Sequence, residues 1–489
     1  MVIRRVAATA LAVLMGFGAM LLGSSAAQAS MTDDERATAL WYTERLKFDQ
    51  IREQGLTGEG ITIAVIDDAI NLDAAELQGA DVEVRGQFCR DRATGEEFLP
   101  TTDDPARAHG TSVVSMLVGN GVAADGGAGT QGIVPDARVL FYAVDGPTDE
   151  SGAATCDGYN PITQEFGSDE KFDLNAEDYD SETDVSIDYS MAVAAKQAIA
   201  DGADIISVSS VSSVWSMLSW SPVATLALRA GIPIVAGTLN PDGTTADILQ
   251  LLPAVLNGTV AVGGVDYQGE PITGIDPTTG DLQTQRGVDN MGFSGPAYQL
   301  LGPSDGTSWA AGTVSGSSVA TPLVAGTIAL GLEKYPDASA NQVLQAMVRT
   351  TGKGILQDPG WLDRLYGYGI VNPVAMLQQD PTQYPDENPL FVKSSDDPRC
   401  GSGATSQPTP DLANCAWATV PMADRVWPDG SDDEPSSFDR TTMFMLAVVG
   451  LPILGVAATA IIVPIVVTRS RRRNTRPSLT SANVSEYEK

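Results

Sequence analysis

The chain has 489 residues, 43% of them apolar, which excludes a wholly disordered or fibrous polymer and leaves room for one sizeable domain with appendages. Acidic residues outnumber basic ones 62 to 29, a formal charge of -33, and a field of that sign repels a nucleic-acid backbone. His109 is the only histidine, so any imidazole chemistry near neutral pH rests on it alone.

The first element is a leader. Arg4 and Arg5 precede an apolar run over 6–22, followed by Ala27-Gln28-Ala29. That order predicts a signal peptide over 1–29 and a mature chain from Ser30. The stretch between Ser30 and the first strand is too short for a separate pro-domain with its own core, so Trp41 and Tyr42 are expected to pack this segment onto the domain.

A β-branched run over 61–66 predicts a buried strand ending at Asp67, where an open parallel sheet opens its ligand crevice. A helical stretch is expected over 112–118, with the ring of His109 standing at its start. A strand over 139–144 leads into residues 147–188, dense in Asp and Glu, which read as an acidic surface insertion. A calcium ion held by those carboxylates is the alternative to a solvated loop.

Helices over 191–200 and 223–230 then alternate with strands over 205–208, 232–236 and 259–262. The alternation predicts an α/β fold, a mainly parallel sheet with helices on both faces. Ser318 lies in the small-residue turn Ser315-Gly316-Ser317-Ser318, which runs into a helix over 321–332 marked by Pro322.

Pro, Asp and Ser dominate 379–442, as in a stalk. Residues 443–467 carry no charge and, at about 1.5 Å per residue, are long enough to span a bilayer core. Arg469, Arg471, Arg472, Arg473 and Arg476 follow, so the tail over 468–489 is expected in the cytoplasm and the domain over 30–378 outside. Setting aside the two leader cations, six tail cations and two tail glutamates, the exported part carries a charge near -39. Its partners should be neutral or basic.

Cys89, Cys156, Cys400 and Cys415 all fall in the exported part, where thiols are oxidised. Of three possible pairings, Cys89 with Cys156 and Cys400 with Cys415 keeps each bridge within one segment. A zinc site fits less well, because no C-x-x-C pair is present.

A serine hydroxyl becomes a nucleophile when a base takes its proton and a carboxylate holds that base. Ser318, His109 and Asp67 offer those three roles, and no metal or other cofactor is needed for them.

The segments around these residues resemble the three motifs of the subtilases, serine proteases with the chain order Asp, His, Ser. Ala64-Val65-Ile66-Asp67, His109-Gly110-Thr111 and the run Gly316-Ser317-Ser318-Val319-Ala320-Thr321-Pro322 carry the likeness. It covers roughly 41–377 and implies a three-layer subtilisin-like domain. With a leader, a stalk and one C-terminal span, the layout is most similar to the mycosins, membrane-anchored subtilases of type VII secretion systems.

The resemblance places the oxyanion donor at Asn240, at the end of Val235-Ala236-Gly237-Thr238-Leu239-Asn240, with the Ser318 N–H as second donor and Asn257 as the other candidate. It places substrate binding at Ser209, Ser210 and Val211. Three departures add bulk: Ala69, Leu239 and Val211 stand where the family has glycine. The implied function is an exported, membrane-anchored endopeptidase acting on protein or peptide substrates. The competing function is an assembly subunit of a secretion complex whose protease domain mainly docks to partner proteins.

Overall fold

In the computed structural model, which describes residues 31–391 apart from 92–93, 145, 147–155, 167–189, 214–216, 242–249, 276–279, 286, 289 and 353–359, seven strands form one sheet. They are β1 (Thr62–Asp67), β2 (Val82–Gln87), β3 (Arg138–Ala143), β4 (Ile205–Val208), β5 (Ile234–Gly237), β6 (Val260–Val265) and β7 (Met291–Pro296). Their order across the sheet is β7-β6-β5-β4-β1-β3-β2, and every neighbouring pair runs parallel. The helices are α1 (Asp33–Ala39), α2 (Trp41–Arg45), α3 (Phe48–Arg52), α4 (His109–Val118), α5 (Ser190–Ala200), α6 (Met217–Ala230), α7 (Ser317–Lys334), α8 (Ala340–Arg349) and α9 (Pro373–Leu377).

Successive side chains of a strand point to opposite faces, and the core divides accordingly. Ile63 and Val65 of β1 pack with α4, α7 and α8, whereas Ala64 and Ile66 pack with α5 and α6. Helix α7 is buried on every side from Ser317 to Gly331, as an apolar sequence without a polar face requires.

Register sets where the carboxyl ends of the strands fall. Asp67 lies beside Ala143, Ile66 beside Val208, and Val208 beside Ala236. The residues that follow β1, β4 and β5 therefore emerge at one edge of the sheet, the edge at which such sheets bind ligands.

The segment before β1 is sewn to the domain by buried polar side chains. Arg36, its side chain 3% exposed, donates to Oδ1 of Asp125 at 3.0 Å, to Oδ2 of the same carboxylate, and to the carbonyls of Ala128 and Met31. The hydroxyl of Tyr42 donates to Gln131 O and accepts from Gln131 N–H, each at 2.9 Å. Trp41 Nε1–H donates to Tyr298 O at 3.0 Å. Trp41 and Tyr42 thus dock the segment as expected.

Two expectations are corrected. The acidic insertion begins as structure rather than as a solvated loop. A strand at Cys156–Asn160 pairs antiparallel with one at Cys89–Asp91 and with Glu165–Phe166. Tyr159 is buried under Arg90, and Asn160 Nδ2 donates to Gln197 of α5 at 2.7 Å. Aromatic and amide side chains among the carboxylates supply this anchoring. The stalk also starts later than composition suggested. Leu390 is buried, Asn388 Nδ2 donates to Gly258 O at 2.8 Å, and Gln345 of α8 donates to Glu387 O at 2.7 Å.

Among the described residues no helix is long and apolar enough to cross a membrane. The expected signal peptide, the span over 443–467, the basic tail, Cys400 and Cys415 lie outside the described residues.

Candidate active site

Asp67 closes β1 and is fully buried. Its Oδ1 lies 2.6 Å from Nδ1 of His109 and accepts the N–H of Asp68 at 2.8 Å. His109 is the first residue of α4, so its ring stands at the sheet edge. The side chain is 42% exposed and its second ring nitrogen, Nε2, remains for another partner. The attraction of Asp67 pushes the imidazole up to about 9 against the opposing cost of burial, with Asp68 adding to the rise. Solvent at the open side of the ring moderates that pull.

The other half of the site is built where α7 begins. Gly316 caps the helix at φ 133°, a conformation suited to glycine. A Cβ there would stand 2.9 Å from Asn240 Nδ2 and 3.2 Å from Ser318 Oγ, so both side chains converge on the bare Cα. Asn240 Oδ1 accepts the N–H of Ser317 at 2.9 Å, and the Ser317 hydroxyl is held by Thr238 O. With its carbonyl oxygen taken up, the Asn240 amide has Nδ2 left to donate.

Ser209, the residue after β4, donates its hydroxyl to Ser318 O at 2.8 Å. Ser210 and Val211 are half-buried, and the strand that follows is steadied by Trp220 Nε1–H on Ser212 Oγ at 3.0 Å. Leu239 is buried, and so is Ala69.

The structure brings Asp67 to His109, and Asn240 to the Gly316–Ser318 turn. Helix α4 packs against α7. His109 and Ser318 share no hydrogen bond. Asn257 lies before β6, at the opposite edge of the sheet from Asn240. Cys89 is disulfide-bonded.

Sequence reasoning passed over Asp68. It is the second of two adjacent carboxylates, and burial together with the charge of Asp67 pushes it up to about 7 while His109 and two backbone N–H groups oppose the rise. Asp67, Asp68 and His109 each present an atom within 4.8 Å of the others. The doubled Asp67-Asp68 and the glycine after His109 were the available signals.

A buried carboxylate on Nδ1 of an imidazole fixes the ring's tautomer and stabilises its cation, which prepares Nε2 to take a proton. Amide donors at a helix N-terminus can stabilise a developing oxyanion. Such an arrangement supports acyl transfer.

The family model described as the subtilase family matches residues 58–369. Fervidolysin of Fervidobacterium pennivorans is 25% identical over 371 residues, 72% of this chain and 45% of its own length. Mycosin-5 of Mycobacterium tuberculosis is 29% identical over 134 residues, 27% of this chain and 22% of its own. The matches thus span less than half of either relative. The crystal structure of MycP1 from Mycobacterium smegmatis is 18% identical, covers 73% of this chain and 88% of its own, and gives a TM-score of 0.49.

Proposed function

The chain belongs to the subtilase family, and we propose that it is an exported serine endopeptidase, anchored by the apolar span over 443–467, that cleaves secreted or cell-surface proteins. The observation that carries this reading is the 2.6 Å contact between His109 Nδ1 and the fully buried Asp67. Ser318 Oγ attacks the scissile carbonyl carbon and passes its proton to His109 Nε2. Asn240 Nδ2 and the Ser318 N–H receive the oxyanion. The intermediate collapses as His109 returns the proton to the leaving amine. Water then enters by the same general base, and the acyl bond to Ser318 breaks.

Ser209, Ser210 and Val211 form the segment after β4 on which substrate lies, and Val211 narrows the primary pocket where the family has glycine. The disulfide of Cys89 runs to Cys156, whose strand pairs with that of Cys89, and Cys400 pairs with Cys415. Similarity to Mycosin-5 supports service within a type VII secretion system.

A fluorophosphonate probe applied to the full chain tests the chemistry. It should label Ser318, and neither Ser318→Ala nor His109→Ala should react. Labelling of Ser318→Ala at the wild-type rate would overturn the assignment. The bulk of Val211 and the buried Leu239 favour a second reading, an assembly subunit with weak peptidase activity. Under that reading Ser318→Ala supports secretion as well as wild type does.

A further inference from the structure

Helix α4 starts without a capping side chain of its own. Its N-cap is Ala108, and the N–H groups of a first helical turn have no acceptor within the helix. One of them finds an acceptor on another element. The N–H of Gly110 donates to Asp68 Oδ1 at 2.9 Å, and the same oxygen accepts the N–H of Ala69 at 2.6 Å. A carboxylate is also favoured there by the helix dipole.

Only glycine permits this contact. A Cβ on residue 110 would stand 2.5 Å from Ala69 O, 2.9 Å from Phe141 Cζ and 3.0 Å from Asp68 Oδ1. The carboxylate next in sequence to Asp67 thus closes the first turn of the helix whose first residue is His109.

Resting on the reading of His109 as the base, we propose that Asp68 is a positioning residue. It locks the start of α4 to the end of β1 so that the imidazole meets Asp67, and its charge helps to hold the imidazole proton.

The titratable groups facing Asp68 are Asp67 of β1 and His109 of α4, while Phe141 of β3 brings no charge. Burial pushes the Asp68 carboxyl up to about 7, so above neutrality it is ionised. There it adds to the pull of Asp67 on the imidazolium. Asp68→Asn keeps an acceptor oxygen for Gly110 and removes the charge. Asp68→Ala removes both.

Because His109 is the only histidine, selective 15N labelling of histidine in the full chain yields the signals of one imidazole, whose titration needs no peptidase activity. In Asp68→Asn the midpoint of His109 should fall by about half to one unit, about a 3- to 10-fold loss of proton affinity. In Asp68→Ala the midpoint should fall likewise, and kcat should drop at every pH with KM held, while Asp68→Asn restores kcat above its new midpoint. A midpoint in Asp68→Asn equal to or above that of wild type overturns the proposal. If the midpoint shifts but wild type never reacts with the fluorophosphonate, the peptidase reading fails and the positioning role stands. If wild type reacts and the midpoint does not move, the positioning role fails alone. Should Asp68→Ala not fold, Asp68→Asn decides the matter.

Discussion

Ser209 supplies Ser318 with the hydrogen bond that Pro322 cannot make. In an α-helix the carbonyl of residue 318 accepts the N–H of residue 322, and proline has none. The Ser209 hydroxyl donates to that carbonyl instead, at 2.8 Å. The segment after β4 and the backbone of Ser318 are therefore joined where Pro322 leaves a carbonyl of helix α7 without its N–H partner.

Ser209→Ala should bare this buried carbonyl at a cost of about 1–3 kcal/mol. Urea unfolding would show it as a lower midpoint with an unchanged slope. Adding Pro322→Ala returns an N–H to position 322 and should recover most of the loss. A Ser209→Ala protein as stable as wild type would sink the account.

Under the proposed mechanism Asn240→Ala should lower kcat by about 10²–10³ with little change in KM, because an oxyanion donor is needed only once the oxyanion forms. Steady-state kinetics on a peptide ester measures this directly. Asn257→Ala, at the far edge of the sheet, should leave kcat where it was. The reverse pattern would move the oxyanion donor to Asn257.

Much of this site was legible because its parts are local. The strand ending at Asp67, the helix opening at His109 and the turn before Ser318 each announce themselves in a few residues, and strand Ile205–Val208 matches its expected bounds. Helix α6 starts at Met217, six residues before the expected 223, because Pro222 reads as a helix start yet lies inside the helix. Strand β2, with Glu83 and Arg85 on a half-buried edge, lacks the apolar run of a central strand. Strand β7, Met-Gly-Phe-Ser-Gly-Pro, is fully buried but looks like a loop in composition. The role of Asp68 depends on an N–H 42 positions away, which no local pattern reveals.

Turnover should rise with pH through an inflection above 6.5 and no higher than about 9, since Asp67 holds the His109 proton while solvent weakens the hold. Stability follows the same sign. A folded value above the unfolded one gives a contribution complete below 6.5 and lost as pH rises through about 9 for His109. For Asp68 the corresponding contribution is complete below 3.8 and lost through about 7. Thermal unfolding from pH 4 to 10 should therefore decline in two steps, and His109→Ala should erase the upper one. An upper step that survives in that variant would assign it elsewhere.

Tyr42→Phe removes one oxygen and leaves both the N–H and the carbonyl of Gln131 without their buried partner. The expected loss is about 1–3 kcal/mol, read by denaturant midpoint. An unchanged midpoint would mean that the Tyr42 hydroxyl adds nothing to the domain's stability.

Val211→Gly should widen the primary pocket and raise kcat/KM for peptides with a bulky side chain before the scissile bond, relative to those with alanine there. A panel differing only at that position gives the ratio. If the ratio holds constant, Val211 does not line the pocket.

Trp41 reaches a carbonyl 257 positions further along, whereas Arg36 and Tyr42 bind groups 89 positions away. A polypeptide made from its amino end therefore completes this seam in two instalments. The anchors on Asp125 and Gln131 become available early, but the Tyr298 carbonyl appears only when all seven strands of the sheet have been synthesised. Until then the indole waits without its acceptor, so the segment is held first at Arg36 and Tyr42 and only later at Trp41. Closure of the amino-terminal seam thus waits on the residues just past β7, with helices α7 to α9 still to be added.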